Sequence, residues 1–163
     1  MYRIADVQPG DILLMQSRLG SPWYDQWLDA GIRWSTDSPW VHACLVGPGV
    51  LINPLWHVQT DALDAYADNG SIFRPQATSQ QKECAIAWAM THIGQRYGLD
   101  ELLLDAARFD LHWTPRLRHH LQLYTCSGFT VMAYRQARFL ITYAPFPAPC
   151  DVAYSPVLGR LSS

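Results

Sequence analysis

Three residue types in this chain can together make a nucleophile, and they lie far apart along it. Cys126 sits in "LYTCSGFTVMAYR" (123–135), where a turn gives way to a run of helical periodicity. A thiol in the first turn of a helix feels unpaired backbone N–H groups and the positive end of the peptide dipole, and both favour thiolate over thiol. Such a sulfur becomes a catalyst when an imidazole stands within reach and a third polar group fixes that ring's tautomer. His42, in "WVHACLVGPGVLINPLW" (40–56), can be the base. Asn53 lies across a Gly47-Pro48-Gly49 turn from it, and its amide oxygen can accept the ring N–H as a carboxylate would. His57 is the other candidate for third member.

Other residues carry weaker chemistry. Tyr124, two positions before Cys126, can donate to a developing oxyanion or serve as an aromatic wall. Trp is frequent at seven copies, and Trp23, Trp40 and Trp56 are the ones expected to line a substrate groove. His92 falls on the stripe of a regular helix and reads as a core hydrogen-bonding residue. His42 and Cys44 share a strand face but supply two ligands only, and His112, His119 and His120 lack neighbouring donors, so no metal site is assigned. Cys44, Cys84 and Cys150 read as free core or tail thiols. Arg116 and Arg118 read as a solvated basic turn.

The elements that must position these groups follow from periodicity and turn chemistry. "PGDILLMQ" (9–16) predicts a first strand, and 17–39 a short amphipathic helix between two loops. Residues 40–56 predict a hairpin about its Gly-Pro-Gly turn. A short helix is expected over 60–68, capped by Thr60 or Asp61, and a strand over 71–75. The clearest helix spans 78–98, with Ser79 as N-cap and Gly94 or Gly98 as its stop. Further helices are expected over 99–113 and from Cys126 to about Arg138, followed by a proline-rich tail with one helical turn. Strands followed by helices in this order predict an α+β fold, an antiparallel sheet packed against helices, in a single domain spanning 1–163.

The segments "PGDILL", "WVHACLVGPGVLINPL", "IGQRYG" and "YTCSGFTV" resemble the circularly permuted papain-like hydrolases. The likeness is to the YiiX and YaeF group, related to NlpC-type cell-wall peptidases and more distantly to lecithin:retinol acyltransferase. It runs from about residue 9 to residue 138, with only the His and Cys motifs specific, and His42 precedes Cys126 as in the permuted order. The resemblance implies a permuted papain-like fold, with Cys126 as nucleophile, His42 as general base and acid and Asn53 as orienting group. It further implies that the Cys126 backbone N–H contributes to an oxyanion hole and that Asp11 is structural. The chain departs from the pattern at Val41, at Ala43-Cys44, at Gly128 where an acidic residue is usual, and at Asn53, where many relatives carry Glu or His.

Composition bounds the alternatives. The 163 residues are 49% hydrophobic and 16% charged, with a formal charge of −2, enough apolar material for one sizeable core. No basic stripe suggests nucleic acid as a partner. The opening residues lack a signal-peptide pattern and no run nears the ~18 apolar residues of a membrane span, so a cytoplasmic location is expected. The expected activity is a cysteine hydrolase or acyltransferase (thiol protease or amidase) acting on an amide, ester or thioester, either in a peptidoglycan peptide or in an acylated or other small-molecule substrate. No cofactor is expected. The competing reading is a non-catalytic binding or structural module that keeps the fold, such as a part of a virion.

Overall fold

The computed structural model describes residues 2–16, 37–55, 57–95, 125–145 and 147–161. Among them six strands form one antiparallel sheet, β1 (Ile12–Gln16), β2 (Trp40–Val46), β3 (Val50–Pro54), β4 (Val58–Ala62), β5 (Gly70–Pro75) and β6 (Leu158–Arg160), in the order β4-β3-β2-β1-β5-β6. Helices α1 (Ser79–Met90), α2 (Cys126–Gln136) and the short α3 (Pro149–Ala153) complete an α+β architecture.

Both faces of the central strands are buried, which is why β1 and β2 read as nearly continuous apolar runs. Ile12, Leu14, Ala43, Leu45, Ile52 and Phe73 join Ala85, Ala89, Phe129, Ala133 and Tyr134 of α1 and α2 in the larger core. The alternate residues Leu13, Met15, Cys44, Val46, Leu51 and Ile72 pack with Tyr2 on the opposite face, bordered by Leu63, Tyr66 and Leu161. The strict period of two along each strand therefore sorts side chains between two layers.

The Gly10-Asp11 turn fixes where β1 starts. Gly10 has φ +88°, and a Cβ there would lie 2.7 Å from the Lys82 side chain on α1. Asp11, fully buried, accepts from the Gln8 backbone N–H at 2.8 Å and from Arg74 Nε and Nη2 at 2.9 and 2.7 Å. The Tyr134 hydroxyl donates to the Gly10 carbonyl, tying α2 to the same turn. Burial pushes that hydroxyl's pKa up, so it stays a donor.

Four expectations change. The segment expected as a helix over 60–68 is instead β4 followed by turns: Thr60 pairs with Ile52 and Asp61 with Leu51, because the open edge of β3 offers a ladder that local helix propensity cannot match. The cap of α1 is Thr78 rather than Ser79, since Thr78 has extended φ and ψ and exchanges bonds with Gln81 in a capping box. That helix ends at Met90, short of Gly94, where the chain turns (Gly94 φ +85°) to exchange backbone bonds with Val58 from Gly94 and Gln95. The tail adds β6, paired with β5 as Phe73 with Arg160. The helices expected within 17–39 and over 99–113 lie outside the described residues.

Candidate functional site

Thr125 caps α2 with extended backbone angles, its hydroxyl accepting from the Gly128 N–H at 3.0 Å. Gly128 occupies the third helical position, where a Glu would complete a capping box; with glycine there, the threonine cap acts without that return bond. The next two buried hydroxyls anchor the helix start: Ser127 donates to the Pro147 carbonyl at 2.6 Å and Thr130 to the Cys126 carbonyl at 3.1 Å. Cys126 is thus held at the first helical position, 9% exposed.

His42 comes to it from β2. The β1–β2 register slips between Met15 and Gln16, which pair with His42 and Trp40, leaving Val41 as an extra residue. Such a bulge re-aims the neighbouring side chains. On the other side, β2 pairs with β3 only at Leu45–Ile52 and Val46–Leu51. Toward Trp40 the backbone is not laddered to β3. Continuing the β2–β3 register sets Asn53 opposite Cys44, so His42 is its diagonal neighbour on one face. The His42 Nε2 to Asn53 Oδ1 distance is 2.7 Å.

The groups that bear on the imidazole electrostatically are the thiols of Cys126 and Cys44. With Nε2 occupied by Asn53, Nδ1 is the nitrogen left for sulfur. Burial alone would push the His42 pKa down, but the negative charge of a Cys126 thiolate, foremost, and the polar contact with the sulfurs outweigh it and hold the ring's pKa well above the usual imidazole range. For Cys126 burial acts upward and is overcome by the His42 charge, the His42 hydrogen bond and the backbone N–H groups of Ala43 and Ser127, so its pKa is lowered. Cys44 goes the other way: burial dominates and its pKa is raised, so it remains a thiol. The site can hold a Cys126 thiolate beside a His42 imidazolium.

The network runs past the residues singled out in the sequence. Asn53 Nδ2 donates to Asp61 Oδ2 at 2.5 Å and to the Tyr66 hydroxyl at 3.0 Å. Neither Asp61 nor Tyr66 was expected there, because a helix over 60–68 hides the alternation that turns Asp61 toward Asn53. Reading "VQTDA" with a period of two from Val58 would have exposed it. His57 is exposed in the turn joining β3 and β4.

Trp40, expected to line a groove, is instead a core residue at 4% exposure, edge-on to Phe73 with centroids 5.5 Å apart. Its ring is spent on packing because the period of two turns it into the larger core. Trp23, Trp56 and Tyr124 lie outside the described residues, as do His112, Arg116, Arg118, His119 and His120. His92 bonds the Trp88 carbonyl through Nδ1 at 2.8 Å and stacks on that indole at 4.0 Å, a structural placement.

No protein-family model and no curated protein matches the sequence. Among solved structures the chain is similar to the crystal structure of metalloprotein yiiX from Escherichia coli O157:H7, with a TM-score of 0.69, 14% identity, and coverage of 95% of this chain and 96% of that one. This likeness is one of fold: the chain has a YiiX-like α+β fold. That neighbour is described as a metalloprotein. Among the described residues no group of three or more His, Cys, Asp or Glu side chains is arranged to hold a metal ion. No helix among the described residues is long and apolar enough to cross a membrane.

Proposed function

We propose that the chain is a permuted papain-like cysteine enzyme that cleaves or transfers an acyl group from an amide, ester or thioester, with Cys126 as nucleophile, His42 as general base and acid, and Asn53 as the group that orients the ring. The observation that carries this is the His42 to Asn53 bond of 2.7 Å on a ring whose pKa is raised and whose partner thiol's pKa is lowered. Burial without pairing would have moved both pKa values the opposite way, so charge pairing is the larger influence at this site.

In this reading the Cys126 thiolate adds to the substrate carbonyl, and the backbone N–H of Cys126, at the start of α2, contributes to stabilising the oxyanion. The His42 imidazolium gives its Nδ1 proton to the leaving amine or alkoxide, producing a thioester on Cys126. A water or another acceptor, deprotonated by the now neutral ring, attacks the thioester and regenerates the thiolate. Each step uses only side chains and backbone of this chain. A stem peptide of peptidoglycan and an acylated substrate are both compatible with this chemistry.

The test is residue-resolved alkylation of Cys126 with chloroacetamide as a function of pH, in the wild type and in His42→Ala, with Cys126→Ser as blank. The expected midpoint lies well below ~8.5, the value of an ordinary thiol, and returns toward it when His42 is removed. A midpoint at or above that value, indifferent to His42, overturns the enzymatic reading and favours a non-catalytic module.

A further inference from the structure

The Asn53 amide is held at its far end by an arrangement more elaborate than packing needs. Asp61 Oδ2 accepts from Asn53 Nδ2 at 2.5 Å and from the Tyr66 hydroxyl at 2.9 Å, while Tyr66 oxygen itself accepts from Asn53 Nδ2 at 3.0 Å. The second carboxylate oxygen accepts from Gln59 Nε2 at 3.1 Å. Both amide protons of Asn53 thus have acceptors, and Asn53 is wholly buried. The β3–β4 register, Leu51 with Asp61 and Asn53 with Gln59, puts Asp61 diagonally beside Asn53 on one sheet face.

An ionised carboxylate can only accept hydrogen bonds. It therefore decides which end of the amide turns toward it: the NH2 group must face Asp61, and Oδ1 must face His42. Oδ1 is likewise only an acceptor, so His42 Nε2 must carry a proton. A neutral imidazole has one N–H, and fixing it at Nε2 leaves the lone pair on Nδ1, the nitrogen facing sulfur. When the ring is protonated, the same carboxylate polarises the amide and strengthens the bond to Nε2–H.

We infer that Asp61, braced by Tyr66 and Gln59, is a positioning residue that sets the orientation of the Asn53 amide and, through it, the tautomer of His42. The inference rests on the reading of Cys126, His42 and Asn53 as a reactive group. The titratable groups facing the ring directly are Cys44 of its own strand and Cys126 of α2, with Asp61 of β4 and Tyr66 of the following turn acting through Asn53. Burial, with the Asp61 contact adding to it, pushes the Tyr66 hydroxyl up in pKa, so it remains protonated and can brace the carboxylate.

The experiment uses the full chain and two readouts. In Asp61→Asn, nearly the same shape, the new carboxamide can present either end, so Asn53 is free to turn over. The Cys126 alkylation midpoint is expected to rise by about one pH unit, with reactivity below the midpoint falling about tenfold. The second readout is the His42 ring nitrogens by 15N NMR in Cys126→Ser, where no thiolate is present and the ring can be observed neutral. The expected species has its proton on Nε2 and becomes a mixture of tautomers when Asp61→Asn is added. A wild-type midpoint that is low and His42-dependent but unmoved by Asp61→Asn overturns this inference and leaves the proposed function standing. So does an Nδ1-protonated ring in Cys126→Ser, a result that does not require Asp61→Asn to fold. An ordinary wild-type midpoint overturns the proposed function first, and this inference with it.

Discussion

Removing the guanidinium that faces Asp11 is a test of what holds the site's scaffold. Asp11 is 0% exposed and accepts three hydrogen bonds, two from Arg74 and one from the Gln8 N–H. Arg74→Ala leaves that carboxylate buried with one donor. Breaking a buried ion pair by removing one partner costs about 3–5 kcal/mol; the Arg74 side chain is 29% exposed, so water already screens part of the attraction and about 2–4 kcal/mol is expected. Asp11→Ala is milder by the same logic, because the stranded guanidinium can reach water and still bonds the Asp6 carbonyl at 2.7 Å. Its cost is dominated by the orphaned Gln8 N–H and lost packing, about 1–3 kcal/mol. The double variant should therefore cost less than the sum of the singles by about 2 kcal/mol, since the buried charge that Arg74→Ala strands is gone. Urea unfolding of the four proteins, read as midpoints at constant slope, measures all three quantities. Additive costs, or Asp11→Ala costing more than Arg74→Ala, would refute the idea that a desolvated carboxylate dominates this turn.

Three further outcomes are expected. Because the Cys126 pKa is lowered and that of His42 raised, the ion pair exists between the two; acyl transfer to a model ester should rise through the lower ionisation and fall through the upper one as the imidazolium proton is lost, giving a bell in a pH-rate profile, whereas one limb near ~8.5 would contradict it. Asn53→Asp sets a second carboxyl against Asp61, at the 2.5 Å contact now made by the amide; the pair must share a proton, so a folded-state pKa lies above its unfolded value and stability is present at low pH and lost as pH rises through it. Its melting temperature, compared with wild type, should therefore fall further at pH 8 than at pH 5. Gly10→Ala combines a φ of +88° with a Cβ 2.7 Å from Lys82, for a cost of about 1–3 kcal/mol in thermal or urea unfolding, and a neutral outcome would mean the turn can move without strain.

The sequence by itself carried the elements whose signals are local. Apolar runs bounded by Gly and Pro placed β1, the β2–β3 hairpin and β5, and helical periodicity placed α2 and the start of α1 to within a few residues, though not the end of α1 at Met90, because each of these patterns reflects backbone geometry a few positions long. It also named the thiol, the imidazole and the amide. What it could not supply was β4. Thr60 and Asp61 prefer caps and turns by themselves, and they extend only because β3 leaves an unpaired edge beside them, a fact about a neighbour rather than about the segment. Burial was equally nonlocal: Trp40 looks like a groove residue until the period of two, counted from the bulge at Val41, turns it into the core. The pKa values of Cys126 and His42 were decided by tertiary structure as well. A thiol and a ring buried separately would each be driven neutral, and only their meeting across two distant stretches of chain reverses the sign.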